Sequence, residues 1–99
     1  DVLTPRPRFR TGTVDDAWAN ATPGPNGGRL YPTCGDEVVV PPRSGPRDWD
    51  IDHQPPWSQR SGSLSKDPDL TRADVIDEYQ RGTRLECPSC NRGRGARPL

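Results

Sequence analysis

The chain has no methionine, one phenylalanine, one histidine and, among fourteen basic residues, a single lysine, Lys66. Only 28% of its 99 residues are hydrophobic, and three Trp, two Tyr and the Phe are its aromatics. That is one domain's worth of chain with little apolar surface to bury, so support from a metal, a disulfide or a partner is expected. No run is long and apolar enough to form a membrane-spanning helix, and no signal-peptide pattern is visible. A formal net charge of zero excludes a global field that would pull the protein onto nucleic acid. Three cysteines, an odd count, match neither a fully paired disulfide framework nor a four-thiolate zinc site. Lacking an initiator, the chain reads as excised from something longer.

Thirteen prolines and ten glycines divide it into short elements. Residues 1–12, rich in Pro and Arg, read as an extended arm or linker remnant, and residues 13–99 as the folded domain. Thr13 predicts a helix N-cap with Asp16 at the capping-box position, and Val14, Ala17, Trp18 and Ala21 share one face of that helix. Residues 29–40 predict a hairpin pivoting on Cys34 and Gly35. Along residues 47–53, alternation sets Trp49, Ile51 and His53 on one side of a strand and Asp48, Asp50 and Asp52 on the other. Pro55 and Pro56 end it, and residues 58–69 read as a polar loop. A Thr71/Asp74 capping box opens the clearest helix, with Val75, Ile76 and Tyr79 as its buried stripe. Arg84–Glu86 predicts one more short strand before a tight turn at Cys87–Cys90. The fold class is α+β: short β-hairpins, a few short helices and long loops. The three tryptophans are expected in the core.

Charge is uneven despite the neutral total. From Arg81 to Leu99 there are five arginines against one acid, Glu86, and Arg6, Arg8 and Arg10 form a second basic cluster. Arginine suits bidentate phosphate contacts, although a GC-rich genome would also favour it over lysine. Two segments carry the chemistry. Trp49-Asp-Ile-Asp-His53 places an acid beside the only histidine at a strand end. Cys87-Pro-Ser-Cys-Asn-Arg92 places an amide directly behind a Cys-x-x-Cys turn. One imidazole to take a proton, with a carboxylate and an amide oxygen to hold a cation, is a minimal kit for cutting a phosphodiester bond. Taken singly, His53 is more simply structural, Asn91 a helix cap, and each arginine a solvated surface charge.

In combination these segments resemble the HNH (ββα-metal) nucleases. Leu85-Glu-Cys-Pro-Ser-Cys-Asn-Arg-Gly-Arg-Gly95 is similar to the L-x-C-x-x-C-N-x-x-K-G ending of that superfamily, and the helix before it resembles the one in GH-E-type and other HNH toxin domains. The resemblance spans roughly residues 29–95. It implies a small ββα-metal domain in which His53 is the general base, Asp52 and Asn91 hold one Mg²⁺ or Mn²⁺, and Arg84, Arg92 and Arg94 contact phosphates. The middle Asn that orients the base in this superfamily has no clear counterpart; Gly82 or Thr83 falls nearest. Pro32-Thr-Cys34-Gly and Cys87-x-x-Cys90 resemble two halves of a zinc knuckle, but Tyr31 stands where a thiolate would complete a structural Zn²⁺ site. A disulfide from Cys34 to Cys87 or Cys90, or plain buried thiols, is therefore preferred to zinc.

The expected function is metal-dependent endonuclease cleavage of DNA with low sequence specificity, RNA not excluded. By the same resemblance the chain would be the C-terminal toxin domain of a secreted bacterial polymorphic toxin. It would be delivered by a larger carrier polypeptide into the cytoplasm of a target bacterium, neutralised by a cognate immunity protein, and not inserted into membrane. The rival from another class is a non-catalytic zinc-ribbon-like module that binds nucleic acid or protein; a disordered Pro/Arg-rich segment is a third reading.

Overall fold

A computed structural model describes the backbone of residues 1–94 and the side chains through Arg92. Element order is α1 (Thr11–Ala19), β1 (Arg29–Leu30), β2 (Glu37–Val38), β3 (Asp50–His53), α2 (Trp57–Leu64), α3 (Arg72–Tyr79), β4 (Thr83–Glu86) and α4 (Pro88–Arg94). The strands form two antiparallel pairs, β1 with β2 and β3 with β4. In the second pair Asp50 faces Glu86, Ile51 faces Leu85, Asp52 faces Arg84 and His53 faces Thr83. The chain therefore has a ββα unit, β3–β4–α4, with α2 and α3 inserted between its two strands. This is the small α+β domain that the sequence predicts.

Two-stranded sheets are marginal alone, so each leans on helices. Ala17 of α1, Tyr31, Val38, Trp49, Ile51 and Leu85 make one buried cluster, in which Trp49 and Leu85 are each 1% exposed. Trp57, Val75 and Tyr79 make a second, flanked by Val2, Leu3, Phe9, Leu64 and Leu70. Trp49 and Trp57 are core residues as expected, and Trp18 packs against the first cluster.

Helix α3 begins where the sequence places it. Thr71 caps it, accepting from the Asp74 amide while the Asp74 side chain accepts from the Thr71 amide. Helix α1 starts two residues before the predicted cap, at Thr11, and the Thr13 hydroxyl donates to Gln80 Oε1 instead of capping. The predicted polar loop after Trp57 is helical through Leu64. Three serines and Gly62 give that stretch weak intrinsic helicity, but Pro56 pre-sets its entry, and Trp57 and Leu64 dock on the second cluster, so tertiary packing overrides propensity.

Residues 1–10 open on a turn at Val2 and Leu3, closed by the Thr4 amide donating to the Asp1 carbonyl, and then lie along the body without helix or strand. Arg72 Nη1 donates to the Val2 carbonyl at 3.0 Å, and Gln80 Nε2 to the Arg8 carbonyl at 3.1 Å. The Arg10 amide donates to Gln80 Oε1 and its guanidinium pairs with Asp77 at 2.6 Å. Pro7 is buried.

Candidate active site

His53 closes strand β3 and is 6% exposed. Its ring is caged by aromatics: Phe9 at 5.3 Å between centroids, Trp57 at 5.4 Å and Tyr79 edge-on at 4.4 Å. The ring Nε2 lies 2.7 Å from the backbone carbonyl oxygen of Tyr79. A carbonyl can only accept, so Nε2 carries the proton and Nδ1 carries the lone pair. The group that orients the imidazole is therefore the last residue of α3, not Gly82 or Thr83. Gly82 has a neighbouring task. At φ 62°, with no Cβ to strike the Gln54 carbonyl, it accepts the Gln54 amide at 2.7 Å and closes the open end of the β3–β4 pair.

Burial pushes the His53 pKa below its ordinary 6.5; Arg60 and Arg6 push the same way, against the Tyr79 carbonyl and Asp52. The ring is thus neutral near pH 7, as a proton acceptor must be.

Alternation sends Asp52 to the other face of β3, where Oδ2 accepts from Gln54 Nε2 at 2.7 Å and Arg84 Nε at 3.3 Å. Arg84 also reaches Glu86 Oε2 at 3.3 Å. Glu86 is fully buried and accepts from the Thr33 hydroxyl at 2.6 Å and the Cys87 amide at 2.8 Å. Asn91 Nδ2 donates to Asp50 Oδ2 at 3.2 Å, which fixes the amide and leaves its oxygen as the end available to a cation. Arg92 grips the same Asp50 carboxylate through Nε and Nη2. Asp50 thereby ties α4 to β3, a role the sequence reading did not assign. Glu86 was visible there as the single acid in a basic stretch.

Asp52, His53, Asn91 and Arg92 all border one open cavity of about 350 Å³, with Trp57 and Arg6 on its wall. The three residues expected to supply base and cation ligands thus meet at one cavity even though Asp52 and His53 leave the strand on opposite faces. Asp52 and Asn91 offer hard oxygen donors, and Mg²⁺ is commonly held by one or two such groups plus water. Of the three arginines expected on phosphates, Arg84 and Arg92 are ion-paired to carboxylates, and the Arg94 side chain lies outside the described residues.

Among the described residues one group of three potential metal-ligating side chains converges tightly. The sulfurs of Cys34, Cys87 and Cys90 all lie within 4.8 Å of one another. All three are free thiols, Cys34 exposed and the others half-buried, so they are not the plain buried thiols of the sequence reading. A hydrogen bond with Ser89 is the largest cause lowering the Cys87 pKa to about 7, while Cys87 itself pushes Cys90 up to about 11. Tyr31 is no substitute thiolate. Its hydroxyl donates to the Asp48 carbonyl at 2.5 Å, and burial, reinforced by Asp48 and the nearby thiols, pushes its pKa up to about 12.

No curated protein and no solved structure matched the chain. The sequence model of one family does, over residues 26–97, and its description reads "GH-E: HNH/ENDO VII superfamily nuclease with conserved GHE residues". With a strand pair and following helix in place, a neutral histidine at a cavity between them, and most of its length matched, the chain belongs to the GH-E family of HNH/ENDO VII superfamily nucleases.

Proposed function

We propose that this nuclease is a metal-dependent endonuclease acting on DNA with little sequence preference. The observation that carries the reading is the His53 ring, held by the Tyr79 carbonyl with Nδ1 unprotonated, at a cavity shared with Asp52 and Asn91. His53 takes the proton of the attacking water, and its aromatic cage keeps bulk water from the ring's faces. Asp52 and Asn91 are the residues that would hold a Mg²⁺ or Mn²⁺ ion, whose contribution when bound is to neutralise charge on the scissile phosphate and the departing oxygen. The histidine of the family description is His53, the only one in the chain, and we take its glutamate to be Glu86, which holds the β1–β2 connection against β4 through Thr33. Zero net charge with local arginines fits backbone contact better than base readout.

The triad Cys34, Cys87 and Cys90 favours a second ion, a structural Zn²⁺ on three thiolates beneath α4, its fourth position filled from outside the triad. The same triad is the support for the alternative, a non-catalytic zinc-ribbon-like module. The toxin setting, with an upstream carrier, a cognate immunity protein and action in the cytoplasm of a target bacterium, rests on the similarity to GH-E-type toxin domains.

Plasmid DNA and RNA digested with Mg²⁺, with Mn²⁺ and with EDTA, alongside metal analysis, test the reading. Cation-dependent nicking of plasmid is the expected result. Stoichiometric zinc with no cleavage of either nucleic acid would favour the zinc-ribbon module.

A further inference from the structure

We propose that Arg6, which lies outside the residues matched by the family, is the phosphate-binding residue of the His53 cavity. The inference deepens the endonuclease reading and rests on it.

Among the described residues two arginines border that cavity, Arg6 and Arg92. Arg92 already has a carboxylate partner, since its Nε and Nη2 both donate to Asp50. Arg6 is exposed, and among the described residues no carboxylate lies within ion-pair distance of it. Its guanidinium hydrogen-bonds the Tyr79 phenol, a neutral partner that leaves its charge uncompensated and its other donors to meet an entering anion. Its charge acts on the site already: Arg6 disfavours protonation of His53 and opposes the rise that burial imposes on the Tyr79 phenol.

The backbone around Arg6 is held as a positioning element would be. Pro5 and Pro7 flank it, fixing φ on both sides and confining Arg6 itself to extended backbone. Pro7 is buried and Phe9 stacks on His53. Val2 is bonded to Arg72 and Arg8 to Gln80, so anchors stand on either side of the guanidinium. The strap thus carries its cation to the wall of the cavity that holds the base. A second arginine of the same segment, Arg8, is exposed and does not border the cavity, which makes it the natural control.

The test compares wild type with Arg6→Ala, Arg6→Lys and Arg8→Ala. Binding of a short fluorescein-labelled DNA duplex is read by anisotropy in EDTA, and plasmid nicking is read in Mg²⁺. Circular dichroism checks that each variant is folded. Arg6→Ala should weaken duplex binding about tenfold. It should also flatten the log–log salt dependence by about one unit and lower kcat for nicking about a hundredfold. Arg6→Lys should fall between, and Arg8→Ala should match wild type. Equal losses for Arg6→Ala and Arg8→Ala would reduce the effect to general charge and overturn the proposal, as would unaltered binding and cutting by Arg6→Ala. A wild type that binds duplex through Arg6 yet cuts neither DNA nor RNA would sink the endonuclease reading and leave the phosphate contact standing.

Discussion

The Nε2 of His53 stands 2.7 Å from the Tyr79 carbonyl oxygen, so a backbone atom on α3 decides which nitrogen of a β3 side chain is basic. The Nε2–H tautomer should therefore dominate near neutral pH. Nitrogen-15 NMR of labelled protein should show Nδ1 with the shift of an unprotonated ring nitrogen; a protonated Nδ1 would remove His53 as the base in this geometry.

His53→Ala should abolish plasmid nicking, a loss of at least about 10²-fold. The aromatic cage loses its central ring, so the melting temperature should drop while the circular dichroism spectrum stays that of a folded protein. Undiminished cutting by this variant would exclude the assignment.

The same burial makes stability depend on pH. In the unfolded chain His53 titrates near 6.5, and in the folded protein its pKa is lower, so between the two the unfolded state binds more protons. Its contribution is complete above 6.5 and is lost as pH falls through that value towards the folded pKa. Urea midpoints measured down from pH 7 should decline, and His53→Gln should decline less.

Glu86→Gln tests the buried carboxylate. It removes the charge facing Arg84 and turns a donor toward the Thr33 hydroxyl or the Cys87 amide. A loss of about 1–3 kcal/mol in denaturant unfolding is expected, the lower end reflecting partial exposure of Arg84. An unchanged midpoint would mean that the amide satisfies the site equally well.

The thiols predict a reactivity order. With Cys87 lowered to about 7 and Cys90 raised to about 11, the pair shares one thiolate that resides on Cys87. Brief iodoacetamide treatment of metal-free protein at pH 7.5, followed by peptide mass spectrometry, should label Cys87 ahead of Cys90. Zinc held by the triad should suppress the labelling.

What the sequence showed depended on whether a feature has a side-chain signature. The Thr71/Asp74 box, the alternation through Trp49, Ile51 and His53, and the turn at Gly35 are local codes, and each element they predict is present, although the strand runs only over Asp50–His53 rather than 47–53. Helix α2 was hidden because its serines and Gly62 speak against helicity while the packing that stabilises it comes from residues far along the chain. The support for His53 was hidden for a deeper reason: any residue has a carbonyl, so Tyr79 carries no mark of its role. Arg84 and Arg92 read as phosphate ligands by their charge and their places near Asn91, and the carboxylates that engage them are visible only in space. In sequence the Arg6 strap has the composition of an arm, and its anchors, Arg72 and Gln80, lie some seventy positions away.

That separation also sets an order of events. On a ribosome the first ten residues emerge long before Arg72, Gln80 and the β4 strand exist to receive them, and closing so long a loop is entropically unfavourable until the rest has condensed. The wall of the cavity that bears Phe9 and Arg6 thus cannot be fastened before Arg72 and Gln80 are made, so a half-made chain holds its histidine without the surroundings that would arm it.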